Sequence, residues 1–167
     1  MDNKIVFQNV VKVCLYNNDR KYLLISRSHW NKYGPGEWYF FGGLMESNDS
    51  LEKHLLKIKN ETGIEKINMN NLKLRYIIIY KNKNIIRQEN IYFGEINVTE
   101  LIEKNREYEL YWIPENKLME INLSEIDYEM IKHYIKTPNP EERIIVGIAG
   151  KQNNMLKIYW SIMDDLE

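Results

Sequence analysis

The stretch Gly34–Ile64, GPGEWYFFGGLMESNDSLEKHLLKIKNETGI, constrains the fold more than any other part of the chain. Trp38 to Phe41 are consecutive aromatic residues and favour a strand. Gly42 and Gly43 follow; lacking a Cβ, they let the backbone bend sharply or approach a ligand closely. Asn48, Asp49 and Ser50 are helix-capping residues, and Asp49 with Glu52 has the spacing of a capping box. Leu51, Leu55, Ile58 and Thr62 then recur at i, i+4, i+7 and i+11, one face of a helix, and Gly63 is a C-terminal stop. The spacing predicts a helix from about Ser50 to Thr62. Leu51, Leu55 and Ile58 should pack on a sheet, and His54, Lys57 and Glu61 should form the opposite stripe.

The rest of the chain supplies that sheet. Val6 to Tyr16 and Lys21 to Ser26 read as strands joined by a turn at Asn17-Asn18-Asp19. Cys14 lies in the first of them as a small core residue. Beyond the glycine-helix stretch, Leu72 to Tyr80 and Ile85 to Ile96 form a second strand pair around the polar turn Lys81–Asn84, and Thr99–Arg106 reads as a short helix or loop. Ser124 caps a further helix with Asp127 near its positive end, and Ile126, Met130, Ile131 and Tyr134 face the core. Thr137–Glu142, TPNPEE, breaks that helix and acts as a linker. Arg143–Ala149 is strand-like, Gly150–Asn154 is a turn, and alternation through Leu156, Ile158, Trp160 and Ile162 completes a C-terminal hairpin.

Composition limits the function classes. At 167 residues the chain suits one domain with a sizeable core. A net charge of −1 gives no bulk field toward nucleic acid or a membrane surface. A single cysteine excludes an internal disulfide and makes a reducing cytoplasm the expected compartment. The N-terminus shows no secretory signal, and no apolar stretch reaches membrane-spanning length. The three histidines have no zinc-ligand spacing, and His133 is given no metal role.

The central stretch resembles the Nudix box, G-x5-E-x7-R-E-U-x-E-E-x-G-U with U bulky and apolar. GGLME matches its opening and ETGI its close; between them the sequence is one residue short. Counting back from Gly63 keeps Ile58 on the apolar U position. Leu56 and Lys57 then fall on the R-E pair, and Asn60 and Glu61 on the E-E pair. Counting forward from Gly43 puts Asp49 on the first glutamate. The missing residue belongs at the junction of loop and helix. Phe41 replaces the proline that often precedes the glycine pair. The entry hairpin ending at Arg27 and the stretch EYELYWIPENKL, Glu107–Leu118, resemble other parts of the same domain.

The resemblance implies an α+β fold, a Nudix-type α/β/α sandwich with a mixed sheet over residues 1–136. Residues 137–167 would be a linker and hairpin extension packed on that sheet or on a partner subunit, the latter giving a homodimer. It also implies divalent metal, Mg²⁺ or Mn²⁺, held by Glu61, Gly42 and Glu107 or Glu109, with Glu61 and Asp49 as the catalytic carboxylates. Mg²⁺ demands oxygen ligands in octahedral geometry, yet Lys57 and Asn60 stand where the family places glutamates. Taken singly, Glu107 and Glu109 read better as a solvated loop or an exposed strand face. Arg27 is a candidate phosphate contact or a surface cation; Trp30 and Trp38 are candidates to stack on a base, Trp30 otherwise being a partly buried ring. Phosphates are expected near Gly42, Gly43 and Lys57, the lysine acting as a fixed positive charge. Two readings follow: a nucleotide or nucleoside-diphosphate-derivative binding protein with weak or lost hydrolysis, or an active Mg²⁺-dependent hydrolase of such compounds.

Overall fold

The computed structural model describes residues 4–27, 36–46, 49–62, 71–96, 108–137 and 143–163, with the backbone alone for Arg27, Glu61, Thr62 and Tyr108. The strands are β1 (Val6–Tyr16), β2 (Lys21–Arg27), β3 (Trp38–Tyr39), β4 (Phe41–Leu44), β5 (Leu72–Asn82), β6 (Ile85–Glu95), β7 (Tyr108–Pro114), β8 (Ile144–Gln152) and β9 (Met155–Met163). The helices are α1 (Leu51–Thr62) and α2 (Glu125–Lys136). All the strands belong to one sheet of order β3-β2-β1-β6-β5-β8-β9, with β4 joined to β1 and β7 to β2. The β1–β6 and β5–β8 pairs are parallel and the rest antiparallel, so the sheet is mixed as expected.

Alternation along β1 splits the core into two layers. Val13 and Leu15 pack with Leu23, Phe41, Leu55 and Ile58 beneath α1. Cys14 packs with Leu24, Phe40, Tyr76, Ile91, Met130 and Ile131 beneath α2. Covering on both faces explains why β1 carries the apolar run VVKVCL rather than a strict polar alternation. The β1–β2 turn is held by the Asn17 side chain, whose Oδ1 accepts from the Asp19 and Lys21 amides at 3.1 and 3.0 Å.

Helix α1 has the expected extent and buries Leu55 and Ile58. Two local expectations are corrected. Ser50 caps the helix, its Oγ accepting from the Lys53 amide, and Asp49 instead accepts from the Glu46 amide outside the helix. His54 is not on the solvent stripe but 4% exposed. The reason is stripe width: Leu51, His54, Leu55 and Ile58 at i, i+3, i+4 and i+7 all face the sheet, and the imidazole comes to rest beside Gly43 of β4.

Helix α2 is capped by Ser124, which accepts from the Asp127 amide, and buries Met130, Ile131 and Tyr134. The C-terminal hairpin joins the main sheet through β5 and β8, and Leu156, Ile158 and Trp160 lie against the α2-side core. No described helix is long and apolar enough to cross a membrane. The Thr99–Arg106 segment lies outside the described residues, as does most of the TPNPEE linker.

Candidate functional site

A cavity of about 540 Å³ opens on the α2 face of the sheet, within the size range of small-molecule sites. Its floor is Val10 and Lys12 of β1, Gly42 and Leu44 of β4, and Arg87 and Glu89 of β6; the first residues of α2, Ser124 to Ile126, border it. The strand register sets this arrangement, with Lys12 opposite Gly42 and Val10 opposite both Leu44 and Glu89. Gly42 has φ +150°, and a Cβ there would lie 2.1 Å from the Val11 carbonyl oxygen. The close approach that needs this glycine is therefore to β1.

Lys12 is the centre of charge. Its Nζ lies 2.7 Å from Asp127 Oδ1 and 2.8 Å from Glu89 Oε2, and all three side chains are buried or nearly so. Burial would push the ammonium toward its neutral form, but the two carboxylates outweigh it and raise the Lys12 pKa above its usual value. Asp127 Oδ2 is buried without a hydrogen bond among the described residues. Beside this triad, Arg87 donates from Nε and Nη2 to Gln8 Oε1 at 3.0 and 2.7 Å, and from Nη1 to the Tyr80 hydroxyl at 3.0 Å. Tyr80 donates onward to Glu89 Oε1 at 3.3 Å. Burial, then the Glu89 charge, push the Tyr80 hydroxyl pKa up. The cavity thus presents a fixed set of donors and acceptors, with the Tyr39 and Tyr80 rings among its walls.

The expected site residues distribute unevenly around it. Gly42 and Gly43 line it. Trp38 packs edge-on against Tyr111 and exchanges backbone hydrogen bonds with Asn122 and Ser124, steadying the entry to α2. Asp49 sits before α1 with Lys53 Nζ 2.6 Å away, and this contact, then the Glu46 amide, hold its carboxyl below the usual range. Lys57 and Asn60 are exposed on α1, as is Leu56. Glu109 is exposed on β7 and takes a hydrogen bond from the Tyr111 hydroxyl. Its neighbour Leu110 joins the α1-side core, so strand alternation puts Glu109 on the other face of the sheet from α1. Trp30, Glu107 and the side chains of Arg27 and Glu61 lie outside the described residues.

Among the described residues no three His, Cys, Asp or Glu side chains gather into a metal-sized cluster. The described donors do not fit a divalent cation: Asp49 is engaged by a lysine, Glu109 faces away from α1, and a cation stands at position 57. Lys12, Tyr80, Arg87 and Glu89, which line the cavity, were not read as site residues in the sequence, and Asp127, buried behind them, was read only as a helix-start residue. The available signal was charge inside strand-forming apolar runs, KV in VVKVCL and RQE in IIRQENIYF.

Comparison with known proteins agrees with this architecture. The chain superposes on the crystal structure of a mutator MutT protein from Bacillus halodurans with a TM-score of 0.68 at 19% identity, covering 93% of this chain and 97% of that one. It superposes on MutT from Methanosarcina mazei Go1 with a TM-score of 0.61 at 17% identity, covering 80% and 98%. The NUDIX domain of Shewanella oneidensis NrtR, solved with ADP ribose, gives a TM-score of 0.61 at 16% identity, covering 80% and 87%. No curated protein matches by sequence. At these identities the superpositions establish the fold. The NUDIX domain family profile matches residues 6–134, and on that match the chain belongs to the Nudix family.

Proposed function

We propose that this protein binds a nucleotide or nucleoside-diphosphate derivative in the cavity over Lys12, with hydrolysis weak or lost. The observation that carries the reading is the pairing of a built polar cavity at Gly42–Gly43 with an α1 surface that shows Lys57 and Asn60 to solvent. The Nudix family generally uses a divalent metal such as Mg²⁺ to polarise a diphosphate and activate water. Lys57 opposes such a metal by charge; it is exposed on α1 and does not line the cavity, whose own described cations, Lys12 and Arg87, are the ones placed to meet phosphate there. Phosphates would lie along Gly42–Gly43, and the nucleoside would enter the cavity. Two of the three Lys12 ammonium protons are directed at Asp127 and Glu89, leaving one for a ligand acceptor. That a Nudix-domain neighbour was solved with ADP ribose supports this ligand class.

Two assays test the reading. Titration of ADP-ribose and a nucleotide panel in EDTA should show binding without metal; binding that vanishes in EDTA and returns with Mg²⁺ would point to a surviving metal site. Product release with Mg²⁺ or Mn²⁺ should be absent or very slow in the wild type and should rise in the variant Leu56→Arg/Lys57→Glu/Asn60→Glu. Robust wild-type turnover abolished by Glu61→Gln would establish the alternative, an active hydrolase.

A further inference from the structure

The same face of the sheet carries a second cavity, of about 430 Å³, at its opposite end. It lies where β1 and β6 finish and β5 begins, under the C-terminal half of α2, whereas the Lys12 cavity lies under the first turn of that helix. From Ser124 to Tyr134 the helix rises roughly 15 Å, so the two cavities do not share a floor.

Arg75 lines this second cavity and is only 7% exposed. Among the described residues it has no hydrogen-bond, ion-pair or ring partner. Its nitrogens are not among the fully buried unpaired polar atoms, so the guanidinium fork reaches the water of the cavity and is open to an oxygen acceptor there. The backbone explains how it is aimed there. The β5–β6 register shifts between Leu74 and Tyr76, so Arg75 is the residue left unopposed by the ladder. Such a bulge turns a side chain out of the strand's alternation, and bulges recur beside binding sites. Lys73 and Asn71 add further donors at the same cavity, and among the described lining residues two cations, Arg75 and Lys73, stand with one carboxylate, Glu95. The wall is aromatic and preformed: Phe93 stacks on Tyr134 with ring centroids 4.3 Å apart, and Tyr16 leans on Tyr22.

We propose that this cavity is a binding site for a small molecule with a phosphate or carboxylate group on an apolar, ring-bearing body. The Arg75 fork matches two oxygens of such a group, with Lys73 and Asn71 beside it. The ring would lie against Phe93, Tyr134 and Tyr16, as stacked aromatic pairs prefer. The site is separate from the proposed nucleotide cavity and stands whether or not that assignment holds.

The test is amide chemical-shift mapping with inorganic phosphate, phenyl phosphate and benzoate at constant ionic strength. Phenyl phosphate or benzoate should give saturable shifts at the Lys73, Arg75 and Glu95 amides, with inorganic phosphate binding more weakly. Arg75→Met should weaken binding by about tenfold or more, the loss of a charge-assisted pair of hydrogen bonds. Lys73→Gln, at an exposed position, should weaken it less and keeps the test alive should Arg75→Met not fold. No saturable shift at these three amides at millimolar ligand would overturn the proposal. So would shifts confined to Lys12, Gly42 and Gly43, or an Arg75→Met protein that binds as wild type does. Equal affinity for phosphate and phenyl phosphate would remove the aromatic body from the ligand class.

Discussion

Replacing Lys12 by methionine tests the buried charge triad directly. Methionine fills similar space but removes the only cation within ion-pair distance of Asp127 and Glu89 among the described residues. Asp127 is fully buried and Glu89 is 3% exposed, so two carboxylates would be left facing each other in low dielectric. Removing one partner of a buried pair costs about 3–5 kcal/mol. For a domain of this size that corresponds to a fall in Tm of about 6–20 °C. The pH dependence gives a sharper signature. In the wild type the raised Lys12 pKa contributes stability that is fully present below the unfolded value of 10.5 and is lost as pH rises through the higher folded value. In Lys12→Met the unpaired carboxyls would hold protons in the folded state that the unfolded chain releases, so stability should fall as pH rises above the carboxylate range. Chemical denaturation of both proteins from about pH 4 to pH 8 reads this out, the deficit being smallest at the acid end. A loss under about 1 kcal/mol at neutral pH, or one independent of pH, would show that the triad is solvated and the reasoning wrong.

Leu55→Ala should cost about 2–5 kcal/mol by emptying a buried site under α1, measured by urea denaturation; a loss within error would mean the wrong helix face has been placed on the sheet. Gly42→Ala should abolish soluble folded protein, because its Cβ would meet the Val11 carbonyl at 2.1 Å, while Gly150→Ala, with no atom within 4 Å of the new Cβ, should stay within about 0.5 kcal/mol. Burial holds the His133 pKa below 6.5, so the unfolded chain protonates first as pH falls. The Tm should therefore drop as pH goes below 6.5, and His133→Gln should flatten that slope; an unchanged slope would place the titration elsewhere.

The helix and the strands were legible because their signals are local. Ile58 on the apolar stripe settled the register of α1, and its burial at 2% agrees with counting back from Gly63. Ser124 and Asp127 marked the start of α2 by the same local chemistry. Asp49 and His54 were misread because each local rule had a competitor: Ser50, one residue on, took the cap, and the sheet-facing stripe of α1 is wide enough to take in the polar ring at position 54. The charge triad was not legible at all. Lys12 and Asp127 are 115 residues apart, and β1 reaches Glu89 through a parallel pairing that no turn announces. Arg75 lies within the expected Leu72–Tyr80 strand, and nothing in the sequence marks the register shift between Leu74 and Tyr76 that leaves it unopposed in the ladder.

The parallel pairing of β1 with β6 also bears on how the chain is made. Val6 to Tyr16 leave the ribosome well ahead of their ladder partners, Ile85 to Glu95, which follow 79 residues later. At roughly 5–20 residues per second that delay is about 4–16 s. During it β2 can cover only one edge of β1, by pairing at Leu15 and Tyr16, and the Val10–Leu15 run stays open along the other. A strand that ends at the centre of the finished sheet thus spends its first seconds with one apolar edge open to other strands. Closure waits on α1 and β5, which must both be synthesised before β6 can arrive.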